Sequence, residues 1–283
     1  NKKIKLHLLD KAKIMELLGY SWPMIPNTLS IWAVNTCAKF VIRIFLGLQM
    51  NAVFAVAGKI PNIFNLVYGT FNLAWQESAS ISVSDVDKDH YYSSVFNDFF
   101  NFIAGSMMLL IAATPLLFNI LIKGSYEESY NHIPLLLIGV FFSSIAMFYG
   151  SIYIAHKRTK SVGVSSAIAA VTSCILNLAL IQQIGLFAAS LSMVISFMLL
   201  ALYRGFDIER KHIVHIHYNF LKIGVCLGLI IISSILCHQQ KFWLSIINIA
   251  LGILIFLLLN KDFICLGIKQ IMTFIKSQSN STT

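Results

Sequence analysis

Eight apolar stretches, each about long enough to cross a bilayer, follow one another with hardly a polar segment between them. They occupy residues 23–46, 52–83, 94–122, 133–154, 162–181, 186–202, 220–236 and 242–259. Hydrocarbon offers no water to a bare peptide group, so only helices and closed barrels can cross it. The runs are continuous and lack the period of two that a barrel strand shows. The chain is therefore expected to be an all-α integral membrane protein with about eight transmembrane helices. Its composition agrees: of 283 residues, 57% are hydrophobic and 12% charged. Soluble domains run nearer half apolar and a quarter charged.

Charge gives the orientation. The chain holds 21 Lys and Arg against 12 Asp and Glu, a net charge of +9. In a soluble protein this would suggest a nucleic-acid partner, but no basic run is interleaved with aromatic residues, so none is expected. Sixteen of the 21 basic residues fall on the side of the membrane that holds the first residue, from Lys2 through Lys88, the 157–160 loop, Arg204, Arg210, Lys211 and Lys222 to Lys276. Only Lys123 and Lys241 fall on the other side. The positive-inside rule makes the first side cytoplasmic, and an even number of crossings returns the end of the chain there. A plasma-membrane, multi-pass location follows.

Five cysteines, Cys37, Cys174, Cys226, Cys237 and Cys265, lie in or beside apolar runs with no CxxC spacing. They read as small buried or lipid-facing side chains, with no disulfide and no metal site expected. His212, His215 and His217 sit in a basic cytoplasmic loop and read as solvated. No Ser/His/Asp set, HExxH or phosphate-cradling glycine loop occurs, and the outer loops carry only Glu127 and Glu128 as acids. No catalytic residue, enzyme activity or cofactor is expected.

The three remaining cations, Lys39, Arg43 and Lys59, lie inside the first two crossings. Charges there are costly and face a cavity or a partner. Asn35, Lys39 and Arg43 recur every four residues, on one helical face. In the second crossing Asn62, Asn65, Gly69, Asn72 and Gln76 fall within about 80° of one another, with Lys59 and Glu77 flanking the stripe. Lys39 and Lys59 each lie about 12 Å below the outer turn. Cations lined by amides would attract a phosphate or carboxylate. Blander roles compete. Arg43 is near enough to the outer interface to snorkel, and each Asn could serve as interhelical glue. Glu77 fits a salt bridge, a cation-coupling site or the headgroup zone. Pro23 and Pro26 open the first crossing; Pro61 is expected to kink the second, and Pro115 the third.

The stretch LLGYSWPMIPNTLSIWAVNTCAKFVIRIFLGLQMNAVFAVAGKIPNIFNLVYGTFNLAWQESA resembles the opening helices of the C-terminal lobe in bacterial polysaccharide flippases of the multidrug/oligosaccharidyl-lipid/polysaccharide exporter superfamily. Pro23, Pro26, Asn27, Gly47, Lys59, Ile60, Pro61, Ala74 and Trp75 match the family pattern. So do the 156–160 loop HKRTK and Asn177 with Gly185. The family's usual Asp-Arg pair reads Ala38-Lys39 here, so a mechanism built on that Asp does not transfer.

The resemblance implies two six-helix lobes. Residues 1–20 would link them, 21–204 form the second, 205–219 a cytoplasmic loop, 220–260 two added helices and 261–283 a cytoplasmic tail. The first lobe would lie outside this chain and be its main partner. The implied activity is translocation of undecaprenyl-pyrophosphate-linked oligosaccharide across the bacterial inner membrane, for O-antigen or capsule assembly beside a polymerase. Lys39, Arg43 and Lys59 would meet pyrophosphate or acidic sugars. Asn62, Asn65, Asn72 and Gln76 would meet sugar hydroxyls, and Trp75 would stack on a sugar ring. Glu77 would be the coupling site if the chain were instead an ion-coupled exporter of small solutes. A non-transporting membrane scaffold is a third reading.

Overall fold

The computed structural model describes Met15, Trp22, and residues 24–124, 126–239, 241–261 and 264–265. The readings made above for residues 1–14, 16–21 and 266–283, for Pro23, and for the side chains of Pro26, Asn27 and Asn35, lie outside the described residues. Ten α-helices are described: α1 (Met24–Phe45), α2 (Gly47–Ala57), α3 (Lys59–Ile81), α4 (Lys88–Ala112), α5 (Thr114–Leu121), α6 (Ile133–Ala155), α7 (Thr159–Ile184), α8 (Phe187–Arg210), α9 (Phe220–His238) and α10 (Phe242–Leu259). No strand occurs among the described residues.

Helices α4, α6 with the turn before it, α7, α8, α9 and α10 are each long and apolar enough to cross a membrane. The pair α2–α3, bent by 44°, makes a seventh crossing. Helix α1 has the length, at 22 residues, but carries Lys39 and Arg43 and is not among these candidates, so the described residues give six or seven crossings against the eight expected.

The helices divide into two packing units. One runs to Tyr92 and resumes over Tyr126–Ile216; the other holds Ser93–Ser125 and the chain from His217 onward. In the first unit α6 is the central helix, with 16 of its 23 residues buried. Its principal neighbours are α8 and α3, while α1 lies along α7 and α7 along α8. Helix α7 buries small residues, Gly163, Ser165, Ser166, Ala169, Ala170 and Ser173, which let its neighbours come close. Gly47 (φ 89°) and Gly185 (φ 57°) turn the chain after α1 and after α7 in the left-handed region that favours glycine.

The bend expected at Pro61 falls at Gly58 instead. Proline has no N–H, and its ring crowds the carbonyl four residues back, here Ala57. The helix therefore breaks one turn before the proline. Gly58 closes α2 with a 3.1 Å bond from its N–H to Phe54 O and opens α3 by accepting from Asn62 N at 3.0 Å. Pro115 acts the same way: the third crossing breaks between α4 and α5, and the Thr114 hydroxyl donates to Leu110 O at 2.9 Å.

In the second unit α9 and α10 form a hairpin fastened inside the apolar layer. Ser233 Oγ donates to Asn248 Oδ1 at 2.9 Å, and Asn248 Nδ2 donates back to Ser233 O at 3.0 Å. Gly252 and Gly105 let α10 approach α4: a Cβ at either position would meet α4 or α10 atoms at 3.1–3.2 Å. The outer faces of α9 and α10 are apolar and exposed, among them Leu221, Ile231, Trp243 and Leu254.

Candidate functional site

Helix α3 has two faces with different fates. Pro61, Phe64, Tyr68, Trp75 and Ala79 are buried and pack inward. The polar stripe lies about 100° round the helix, each member one residue after a core position or close to it. Asn62 and Asn65 are exposed; Asn72 and Gln76 are half-buried; Glu77 and Lys59 are exposed.

A cavity of about 190 Å³ lies at the head of this stripe. One wall is polar: Lys39 from α1, with Asn62 and Asn65 from α3. The broken crossing contributes Ala55, Gly58 and Pro61. The opposite wall is apolar, made by Leu136 and Val140 of α6 and Ala189 and Met193 of α8. Three of the nine residues singled out in the sequence are thus brought together on one cavity. Pro61, Asn62 and Asn65 bring the head of α3 to its wall, and the Lys39 ammonium supplies positive charge. Ala38, where an acid stands in the family pattern, is buried beside the same cavity and neutralises nothing.

The other six residues stand elsewhere. Arg43 and Lys59 are exposed and do not line the cavity. Asn72 is committed to packing: its Oδ1 lies 3.1 Å from both the Tyr68 hydroxyl and Ser151 Oγ, tying α3 to α6. Tyr68 also reaches Ser144 O at 3.0 Å. Gln76 and Glu77 lie further along α3, away from the lining residues.

Trp75 corrects an expectation. It is 2% exposed, stacked on Phe148 with ring centres 4.5 Å apart and edge-on to Tyr92 at 5.4 Å. Its Nε1 donates to Phe148 O at 3.2 Å. A ring held on both sides and bonded at its only donor has no face left for a sugar. In the sequence its two roles looked alike, because a polar stripe and a core face one residue apart on a helix are hard to separate.

Arg204 is the functional-looking residue that sequence reasoning assigned to orientation alone. It is fully buried among α6, α7 and α8. Nε donates to Ser165 Oγ at 3.0 Å, one terminal nitrogen to Ala146 O at 2.7 Å, the other to Val162 O at 3.2 Å and Ser166 Oγ at 2.7 Å. A Cβ on Gly150 would meet the guanidinium at 2.9 Å, so glycine makes the space. One turn on, Asp207 accepts from the Tyr153 hydroxyl at 2.6 Å and pairs with Lys211 at 2.8 Å. The serines at 165 and 166, facing an arginine on the next helix, were the available signal.

These features define a class: a multi-pass, all-α membrane protein of transporter-like fold, with a polar cavity beside a broken crossing. No protein-family model matches the chain, and no curated protein does. Among solved structures the chain is similar to the lipid II flippase MurJ in an inward closed conformation, at 20% identity and a TM-score of 0.54, over 79% of this chain and 51% of that one. The chain thus spans about half the length of the structure it matches. At this identity the likeness is one of fold.

Proposed function

We propose that this chain is one half of a flippase that moves undecaprenyl-pyrophosphate-linked oligosaccharide from the inner to the outer leaflet of the bacterial inner membrane by alternating access, in O-antigen or capsule assembly. The observation that carries the reading is the cavity in which Lys39, Asn62 and Asn65 face apolar α6 and α8 residues beside the α2–α3 break. A lipid-linked glycan needs both surfaces: a cation for phosphate, carboxamides for hydroxyls, and an apolar wall for the lipid's first carbons. Broken crossings are where membrane transporters place helix ends against polar cargo. The fold likeness to a protein titled as a lipid II flippase supports a lipid-linked substrate in general. The other lobe and a polymerase are the partners this reading entails, with the cytoplasmic side set by the basic loops.

Lys39→Ala in the full-length protein is expected to lower surface polysaccharide at least tenfold at equal membrane expression, with Asn62→Ala and Asn65→Ala giving smaller losses. Unchanged surface polysaccharide in all three would remove the cavity from the mechanism. Efflux of a small-molecule drug from vesicles without lipid-linked glycan would replace this reading with an ion-coupled exporter.

A further inference from the structure

Among the described residues no set of three or more histidine, cysteine or acidic side chains is gathered to hold a metal ion. One pair of histidines does stand at chelating distance. Helix α8 ends at Arg210 in a turn closed by two backbone bonds: His212 N–H donates to Glu209 O at 3.0 Å, and Ile213 N–H to Ile208 O at 3.1 Å. This pattern ends a helix on a left-handed residue, a position glycine usually fills. Here it is His212, at φ 50°. Beyond it Ile213 and Val214 are buried and anchor the segment, while His212 and His215 are exposed. Their ring centres lie 5.5 Å apart, and His212 Nδ1 is 3.5 Å from His215 Nε2.

That separation is long for a hydrogen bond, in which an N–H donor lies about 2.7–3.2 Å from its acceptor. It is close to the span of two ligands on one tetrahedral metal ion. With zinc–nitrogen bonds of about 2.05 Å, nitrogens 3.5 Å apart subtend about 117° at the metal, against about 109° in an ideal tetrahedron. A square-planar ion would hold adjacent nitrogens closer, at about 2.9 Å. We propose that His212 and His215 form a binding site for a zinc ion on the loop that follows α8, with His212 Nδ1 and His215 Nε2 as its protein ligands and water in the remaining positions.

Three physical points favour this site. Imidazole nitrogen suits zinc, and each ring would coordinate through one nitrogen while the other keeps its N–H toward water. The two ligand atoms already stand at the separation the ion needs, held by the helix end on one side and by buried Ile213 and Val214 beside them, so little ordering is left for binding to impose. A histidine also occupies the left-handed position where glycine would be less strained, and strain of this kind is retained where a side chain has work to do. Structural zinc sites use four protein ligands, so a site with two is an exchangeable one that follows the zinc level around it. His217 begins the other packing unit and is not part of the pair.

The site does not depend on the flippase reading, and its test needs no transport assay. The full-length protein, purified in detergent without a polyhistidine tag and stripped with EDTA, is titrated with zinc against a chromogenic chelator. The native protein should take up zinc, and His212→Gln and His215→Gln should each bind it at least tenfold more weakly. His212→Gly separates a ligand from a structural residue. Glycine suits the left-handed turn, so its melting temperature without zinc should equal or exceed that of the native protein, while its zinc binding falls as in the glutamine variant. Zinc should also slow acylation of His212 and His215 by diethyl pyrocarbonate, read residue by residue by mass spectrometry, and leave the exposed His90 unaffected. A native protein that takes up no zinc, or native-like zinc affinity in any of the three variants, would overturn the site. So would unchanged acylation of the pair at zinc levels that saturate the native protein.

Discussion

Polar side chains occur in two parts of the first unit, and the membrane treats them differently. Along α6, Arg204, Asn72 and the Trp75 indole are each bonded to serines, a tyrosine or backbone carbonyls on neighbouring helices. Along α1 and the head of α3, Lys39, Asn62 and Asn65 stand on the wall of a cavity. In an apolar medium an unpaired polar group costs several kcal/mol, so the first set is paired and the second needs an aqueous or ligand-filled space. The first set therefore reports on helix packing, and the second, on the flippase reading, on the substrate. Substitutions in the two sets should separate stability from transport.

The largest stability effect is expected at Trp75. Trp75→Ala removes a ring stacked on Phe148 and should lower unfolding stability by about 3–5 kcal/mol, read as a large fall in melting temperature in detergent. Trp75→Phe keeps most of the packing and should recover more than half. If Trp75→Ala melts like the native protein while transport falls, the ring is a ligand contact after all. Arg204→Met comes next. It takes a donor from two serine hydroxyls and two carbonyls on α6 and α7, of which Ser165 keeps its bond to Val162 O, and should cost about 2–3 kcal/mol, since each unsatisfied group costs about 1–3 kcal/mol and some will find new partners. Arg204→Lys should recover little, because one ammonium cannot span the four acceptors. Lys39→Met, by contrast, should leave the melting temperature unchanged. A matching fall in Lys39→Met would break the division between the two sets.

Asn72 and Asn62 sharpen it on one helix. They lie ten residues apart on the same stripe. Asn72→Ala removes an acceptor shared by Tyr68 and Ser151, each of which has a second acceptor, Ser144 O and Met147 O. The loss should be about 1 kcal/mol, with transport close to normal at equal expression. Asn62→Ala should do the reverse. Equal effects of the two on transport would extend the cavity's role down the whole stripe.

Much of this fold was legible in the sequence because a bilayer leaves so few options. Run length located the helices, though not the breaks inside the second and third runs, and Gly47 and Gly185 stand where the turns need a left-handed residue. The site was legible in part. A cation and two amides at the head of the stripe do share a cavity, since helical spacing fixes which residues share a face. It does not fix which face meets a neighbour. Asn72 and Asn62 obey the same spacing, and only α6, through Ser151, makes one of them a packing residue. Arg204 was hidden for a related reason: near the cytoplasmic end of a helix a topological arginine and a buried one look alike. The apolar half of the cavity, Leu136, Val140, Ala189 and Met193, carries no local mark at all.

The smallest expected effect lies outside the crossings, at His156 between α6 and α7. Burial is the main reason its imidazole is held below the ordinary value of 6.5; Lys88 and Arg158 push the same way and Asp89 opposes them. Its ring lies 6.3 Å from that of Tyr92. The folded state therefore holds this histidine neutral where the unfolded chain would bind a proton. Above the ordinary value both states are neutral and no stability is lost. As pH falls through it, the unfolded chain takes up a proton that the folded one does not, so folding weakens toward acid until the lower folded value is reached. Melting temperatures taken from about pH 7.5 to about pH 5.5 should fall in the native protein and fall less in His156→Gln. The difference should be smaller than any of the losses above, because the ring is only partly buried and solvent screens its cationic neighbours. Lys39→Met should track the native curve throughout. If His156→Gln and the native protein follow the same curve, the 156–160 loop belongs with the cavity wall rather than with the packed set, as a segment whose charges the folded state does not feel.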